Sequence, residues 1–310
     1  MAAGAAPPVR LLIFGDSYVH DPSVRSWAEH VGDRLGWRTL NVAVPGSSSR
    51  TLPRQLEHVR RLVRAGSVEL HASTTWALVH TGGNDLLRSS AAELYAVLRA
   101  AVASALLCTG GGGSGGGGAA GGRRTLCDDI ADDIAGLLEG LESLGVHNVM
   151  LVGMPLTTSV PAVNQMLRSI AGDCSGLGAL VLRRLNAFHL ERLRAALRES
   201  QAAGAGQGRS LCLDEAASID ASLRRLALRG EASDDYWRDG MHLSQRGHAA
   251  LADEVVEVVQ GALGHAGPGG AGSGGGGGAW TCVSRLLCCS LDDGEPRGAT
   301  KWTALVTSER

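Results

Sequence analysis

Ser17, Asp239 and His242 are residues whose types and spacing could do covalent chemistry. A serine hydroxyl is a weak nucleophile near neutral pH and needs a base beside it. His242 can be that base, taking the proton on one ring nitrogen. Its other nitrogen then needs an acceptor that fixes the tautomer and the ring orientation. Asp239 lies three residues earlier, so one tight loop can bring its carboxylate to the ring. Acyl transfer also needs donors aimed at the oxygen that becomes negative in the tetrahedral intermediate. The main-chain amides of Ser17 and Gly46 and the side-chain amide of Asn84 can supply three. This chemistry calls for no metal and no organic cofactor, and neither is expected.

These residues matter only if the chain brings them to one place. Short apolar runs that read as buried strands alternate with amphipathic stretches that read as helices. The strands are "VRLLIF", "WRTLNVAV", "TTWALVHTG", "HNVMLVGMP" and "SLCLDE". The helices are "SVRSWAEHVGDRLG", "SRTLPRQLEHVRRLVRAG", "AAELYAVLRAAVASALLC", "LCDDIADDIAGLLEGLESLG", "LGALVLRRLNAFHLERLRAALRES" and "LSQRGHAALADEVVEVVQGAL". Such alternation implies right-handed crossovers and a five-stranded parallel sheet with helices on both faces, a flavodoxin-like three-layer α/β/α fold. Chemistry in such sheets gathers at the carboxyl ends of the strands. "GDS" follows the first strand, "PGSSS" the second and "GGND" the third, and "YWRDGMHLSQRGH" precedes the last helix. All four segments fall at that end.

Four blocks in this order resemble the SGNH hydrolases, the GDSL esterase/lipase superfamily. "FGDS" places the nucleophile at Ser17, "NVAVPGSSS" the glycine at Gly46, "GGND" the asparagine at Asn84 and "DGMHLS" the acid and base at Asp239 and His242. The resemblance implies a serine esterase with a Ser17–His242–Asp239 triad and an oxyanion hole of Ser17, Gly46 and Asn84. Asp16 and Asp85 would brace their loops. The leucine of the eponymous motif is Tyr18 here, a position on which the chemistry is not expected to depend. An O-acyltransferase using the same site would carry the same blocks; a binding protein that has lost catalysis is the other alternative, and the intact set of catalytic residue types argues against it. The implied partner is a small-molecule ester: an acetylated sugar, a short-chain ester or a lysolipid.

Singly, each residue has a plainer reading. Ser17 could cap a helix, Asn84 and Asp85 could make a turn, and His242 could be a loop histidine. The conjunction favours the catalytic reading. "GGSGG" at 112–116 matches a nucleophile-elbow pattern, but any Gly/Ser tract generates that match without strand or helix context. His20, His80 and His248 lie near the blocks without a metal-ligand spacing. Asp128, Asp129, Asp132 and Asp133 crowd the start of a helix, where acids meet the helix dipole and solvent. "RQLEHVRRLVR" reads as a solvated helix face.

Composition narrows the partners. The formal net charge is −2 and aromatics make up 4 %, which argues against a nucleic-acid partner. Glycine is concentrated in two tracts, 110–122 and 264–279, and is at an ordinary level elsewhere. The organisation expected is a disordered N-terminus (1–8), a hydrolase domain (9–262) interrupted by the insert 110–122, a Gly-rich linker (263–279) and a short Cys/Trp-containing tail (280–310). The seven cysteines include no Cys-x-x-Cys pair, so most are expected as buried thiols. No apolar run near the start is long enough for a signal peptide or a membrane span. That points to an intracellular, cytoplasmic protein, unless the true start is missing.

Overall fold

The computed structural model describes residues 8–90, 92–93, 95–97, 99–100, 124–171, 175–203, 208–232 and 234–264. The insert 110–122 with its "GGSGG", the tail 280–310 and most of both terminal stretches named above lie outside the described residues.

Five strands, β1 (Leu11–Gly15), β2 (Thr39–Asn41), β3 (Trp76–His80), β4 (Asn148–Val152) and β5 (Ser210–Leu213), form one parallel sheet in the order β2-β1-β3-β4-β5. This is the expected three-layer α/β/α arrangement. The side-chain period of two explains the layers. Leu11 and Ile13 pack on one face with Trp27 and Val31 of α1 (Trp27–Arg34), Ile219 of α7 (Glu215–Leu228) and Val255 of α8 (Gln245–Gly264). Leu12 and Phe14 pack on the other face. There they meet Leu56 and Val59 of α2 (Leu52–Arg64), Ile130 and Ile134 of α4 (Leu126–Glu142) and Leu193 of α6 (Ser175–Ala203). A short α3 (Gly83–Arg88) follows β3, and α5 (Pro161–Ala171) follows β4.

Three helices, the short α3 and the longer α5 and α7, go beyond those the periodicity predicts. The buried face of α7 is built largely of Ala216, Ala221 and Ser222 around Ile219 and Leu226, so its apolar stripe is faint. Its start signal is present in Asp214, whose carboxylate accepts from the Ala217 amide at 3.0 Å. The helix expected over 91–108 is helical at 92–93, 95–97 and 99–100; the rest of it lies outside the described residues. The acidic start of α4 has partners throughout. Asp128 closes a capping box with Thr125 and pairs with Arg192, and Asp129 and Asp132 pair with Arg124. Asp133 does not face solvent alone, because it accepts from the Ser49 hydroxyl at 2.6 Å. Cys127 and Cys212 are buried, and burial pushes the Cys127 thiol up to about 12.

Parallel pairing sets Gly15 opposite His80 at the carboxyl ends of β1 and β3. The strand order reverses there, with β2 continuing to one side and β4 to the other. The crevice beyond such a switch point is where ligands bind in open α/β sheets.

Candidate active site

The turn after β1 begins at a position only glycine can occupy. Gly15 has φ +148°, and a Cβ there would come within 2.2 Å of the His80 carbonyl oxygen. Gln55, buried on α2, clamps this residue from the side. Its Oε1 accepts from the Gly15 amide at 2.9 Å and its Nε2 donates to the Gly15 carbonyl at 2.8 Å. The Ser47 hydroxyl donates to the same carbonyl at 2.7 Å, tying the loop after β2 to the end of β1. Asp16 then closes the turn: its Oδ1 accepts from the Tyr18 amide at 3.0 Å, and its carbonyl accepts from the amides of Val19 and His20. Ser17 is thereby held at the tip.

The loop before α8 brings the other two residues to Ser17. His242 Nε2 lies 3.1 Å from Ser17 Oγ, and His242 Nδ1 lies 2.8 Å from Asp239 Oδ2. The second carboxylate oxygen of Asp239 accepts from the amides of Met241 and His242 at 3.0 and 2.7 Å. Burial works against charge on Asp239, but the His242 amide, the imidazole and the Met241 amide outweigh it and hold the carboxyl down at about 2. Asp239 is therefore an anion fixed by its own loop. It can orient the ring with Nδ1 protonated and leave Nε2 free to accept from Ser17.

The candidate oxyanion donors come from three loops. Gly46 takes φ +73°, which turns the "PGSS" loop, and its carbonyl accepts from Arg88 Nη2 at 2.8 Å. Among the described residues, neither the Ser17 amide nor the Gly46 amide makes a hydrogen bond. Asn84, on the first turn of α3, donates through Nδ2 to the Ser47 carbonyl at 2.9 Å and to Asp16 Oδ2 at 3.3 Å. The first bond orients the planar amide; the second, longer one is the weaker and is the N–H that a ligand oxygen would share with Asp16 or take from it. Asp85 braces the loop between β2 and α2: its Oδ2 accepts from the Ser49 amide at 2.9 Å, and its Oδ1, at 3.0 Å, shares the one Ser49 hydroxyl proton with Asp133.

Sequence reasoning missed a buried polar group beneath these turns. His80, Asp16 and Glu215 are all almost fully buried. His80 Nε2 lies 2.7 Å from Glu215 Oε2, and its Nδ1 lies 3.3 Å from Asp16 Oδ1, an ion-pair contact without hydrogen-bond alignment. Burial opposes charge on the ring, but the two carboxylates outweigh it and push His80 up to about 10. Burial pushes the Glu215 carboxyl up as well, and His80 offsets that only in part. His189 faces the cluster from α6, where burial, then the charge of His80, pull it down to about 4. The cluster therefore favours the charged form of the His80 ring. Of the other two histidines near the blocks, His248 accepts from the Trp27 amide at 3.1 Å through Nδ1 and joins α8 to α1. Among the described residues no group of His, Cys, Asp and Glu could hold a metal ion.

The sequence model of the GDSL-like Lipase/Acylhydrolase family matches residues 13–250. No curated protein matches the chain. Solved structures do. A member of the lipolytic protein G-D-S-L family from Veillonella parvula DSM 2008 is 16 % identical, with 80 % of this chain and 96 % of that chain covered and a TM-score of 0.41. An acetyl xylan esterase, AlAXEase, is 13 % identical over 80 % of this chain and 99 % of its own, with a TM-score of 0.44. A carbohydrate esterase family 3 protein from Talaromyces cellulolyticus is 10 % identical over 84 % and 100 %, with a TM-score of 0.40.

Proposed function

Because the chain belongs to the GDSL-like lipase/acylhydrolase family, we propose that it is a serine esterase that cleaves small carboxylic esters at Ser17. The observation that carries this reading is the continuous line from Ser17 Oγ through both ring nitrogens of His242 to Asp239, at 3.1 and 2.8 Å. Ser17 Oγ attacks the ester carbonyl carbon while His242 Nε2 takes its proton. The tetrahedral oxygen is met by the Ser17 and Gly46 amides and by Asn84, whose second proton swings from Asp16. Collapse breaks the carbon–alkoxy bond, and His242 returns the proton to the leaving alcohol. Water then attacks the acyl group on Ser17 with His242 again as base, releasing the acid. Asp239 stays ionised throughout and stabilises the imidazolium.

Val44 and Leu87 are exposed large apolar residues close in sequence to Gly46 and Asn84. Among the described residues no helix is long and apolar enough to cross a membrane. An acetylated sugar, a short-chain ester and a lysolipid all remain within this chemistry. A series of p-nitrophenyl esters of rising chain length, run beside acetylated sugars, orders them.

Asn84 supplies the sharpest check on the oxyanion assignment. Its amide meets full negative charge only once the carbonyl has been attacked. Removing one such donor costs ~10²–10³ in kcat. Asn84→Ala is therefore expected to lower kcat by about that factor with KM nearly unchanged. A turn asparagine would show the reverse: a lower Tm with kcat per folded molecule intact. Measuring kcat, KM and Tm on one preparation separates the two.

A further inference from the structure

Tyr18 stands where the eponymous motif has leucine, and a leucine could make none of the polar contacts this side chain makes. Its hydroxyl donates to the Met241 carbonyl at 2.7 Å, with Met241 Sδ at 3.5 Å. Met241 immediately precedes His242. The Tyr18 ring stacks on His80, with centroids 5.5 Å apart and planes 21° from parallel, and tilts toward His242 at 6.1 Å. His80 in turn is pinned by Glu215 of α7 and touches Asp16, the residue before the nucleophile. Glu215, His80 and Tyr18 thus form a buried column from α7 to the loop that carries His242. It passes the Ser17 turn on the way.

We infer that Tyr18, seated on the His80–Glu215 pair, is a positioning residue that latches the His242 loop to the Ser17 turn and sets the distance between base and nucleophile. The inference rests on the esterase reading above and adds to it a role for Tyr18. Three features favour a latch over ordinary packing. The hydroxyl bond spans 223 residues and joins the two segments that must meet for proton transfer. The column lies against both: Tyr18 is adjacent to Ser17, and its acceptor is adjacent to His242. Finally, the hydroxyl is a donor at neutral pH as any tyrosine is, and burial, then the charges of Glu215, Asp16 and Asp239, push its pKa further up. The other titratable groups that act on the column are Tyr236, on Tyr18, Asp214, on Glu215, and His189, which feels the charge of His80.

The test uses Tyr18→Phe, which keeps the ring stack and removes only the hydroxyl, and Glu215→Gln, which keeps the volume and removes the charge under His80. Three quantities are read on the full chain: kcat and KM on an ester, the rate at which a fluorophosphonate labels Ser17, and amide hydrogen exchange over 239–243. Tyr18→Phe is expected to lower kcat about three- to tenfold, the worth of one hydrogen bond, with KM unchanged. Labelling should slow in the same proportion, and the loop amides should exchange faster. Glu215→Gln should act in the same direction. The double variant should lose less than the product of the two, because both act through one column. Unchanged kcat and labelling in Tyr18→Phe would overturn the inference. So would a lower Tm with kcat per folded molecule intact. If the unmodified protein neither turns over esters nor labels, the esterase reading fails. The exchange result then decides the latch alone: faster exchange supports it and unchanged exchange overturns it.

Discussion

His242→Ala is expected to lower kcat by about 10⁶, an effect as large as loss of the nucleophile itself. The ring is the only group within hydrogen-bond distance of Ser17 Oγ among the described residues, at 3.1 Å. Without it the hydroxyl has no base, and the leaving alcohol has no acid to protonate it. The residual rate would come from the oxyanion donors and from binding. The loop should survive the change, because Asp239 keeps two acceptor bonds to the amides of 241 and 242 that do not involve the imidazole. The expected pattern is therefore a near-complete loss of turnover with Tm little changed. A variant retaining a tenth of the activity would show that some other group serves as base.

Asp239→Asn is expected to cost kcat about 10³–10⁴, and the reason is a tautomer. The substituted side chain would still accept from the two loop amides through its oxygen, which leaves its NH₂ facing His242 Nδ1. That nitrogen must then be the acceptor, so the proton sits on Nε2, where it blocks transfer from Ser17. The lower end of the range reflects the 46 % exposure of the Asp239 side chain, which lets water stabilise part of the imidazolium charge. The same variant reads out acid stability. The folded carboxyl titrates at about 2, below its ordinary 3.8, so its contribution to folding is fully present above pH ~4. It is lost as pH falls through the folded value. The Tm advantage of the unmodified protein over Asp239→Asn should hold steady down to pH ~4 and close between about 4 and 2. It should be small, because the group is half exposed.

Much of this site was legible in the sequence. Ser17, Gly46, Asn84, Asp239 and His242 each follow a strand end or precede the last helix, and the structure gathers them at the carboxyl edge of β1 and β3. What the sequence left dark is the polar interior beneath them. His80 and Glu215 lie 135 residues apart, and nothing in either segment says that they meet. Gln55 falls on the same helix face as Leu52, Leu56 and Val59, so a polar residue on an apolar stripe was the available signal; its partner at Gly15 could not be read from it. Tyr18 reads in the sequence as a position the chemistry ignores, and the structure gives it a bond to the loop that carries His242. Periodicity reports which residues are buried. It does not report which buried polar groups find each other, because that depends on strand order and on register at the sheet edge. The faint stripe of α7 belongs to the same blind spot, since Glu215 opens that helix.

The account stands on Ser17 being an activated nucleophile, and labelling with a fluorophosphonate followed by peptide mapping tests that most directly. The expected result is one adduct per chain, on the peptide that contains Ser17. It should be absent in Ser17→Ala and nearly absent in His242→Ala, with all three proteins folded. A folded protein that takes no label, or takes it equally well after Ser17→Ala, would contradict the account.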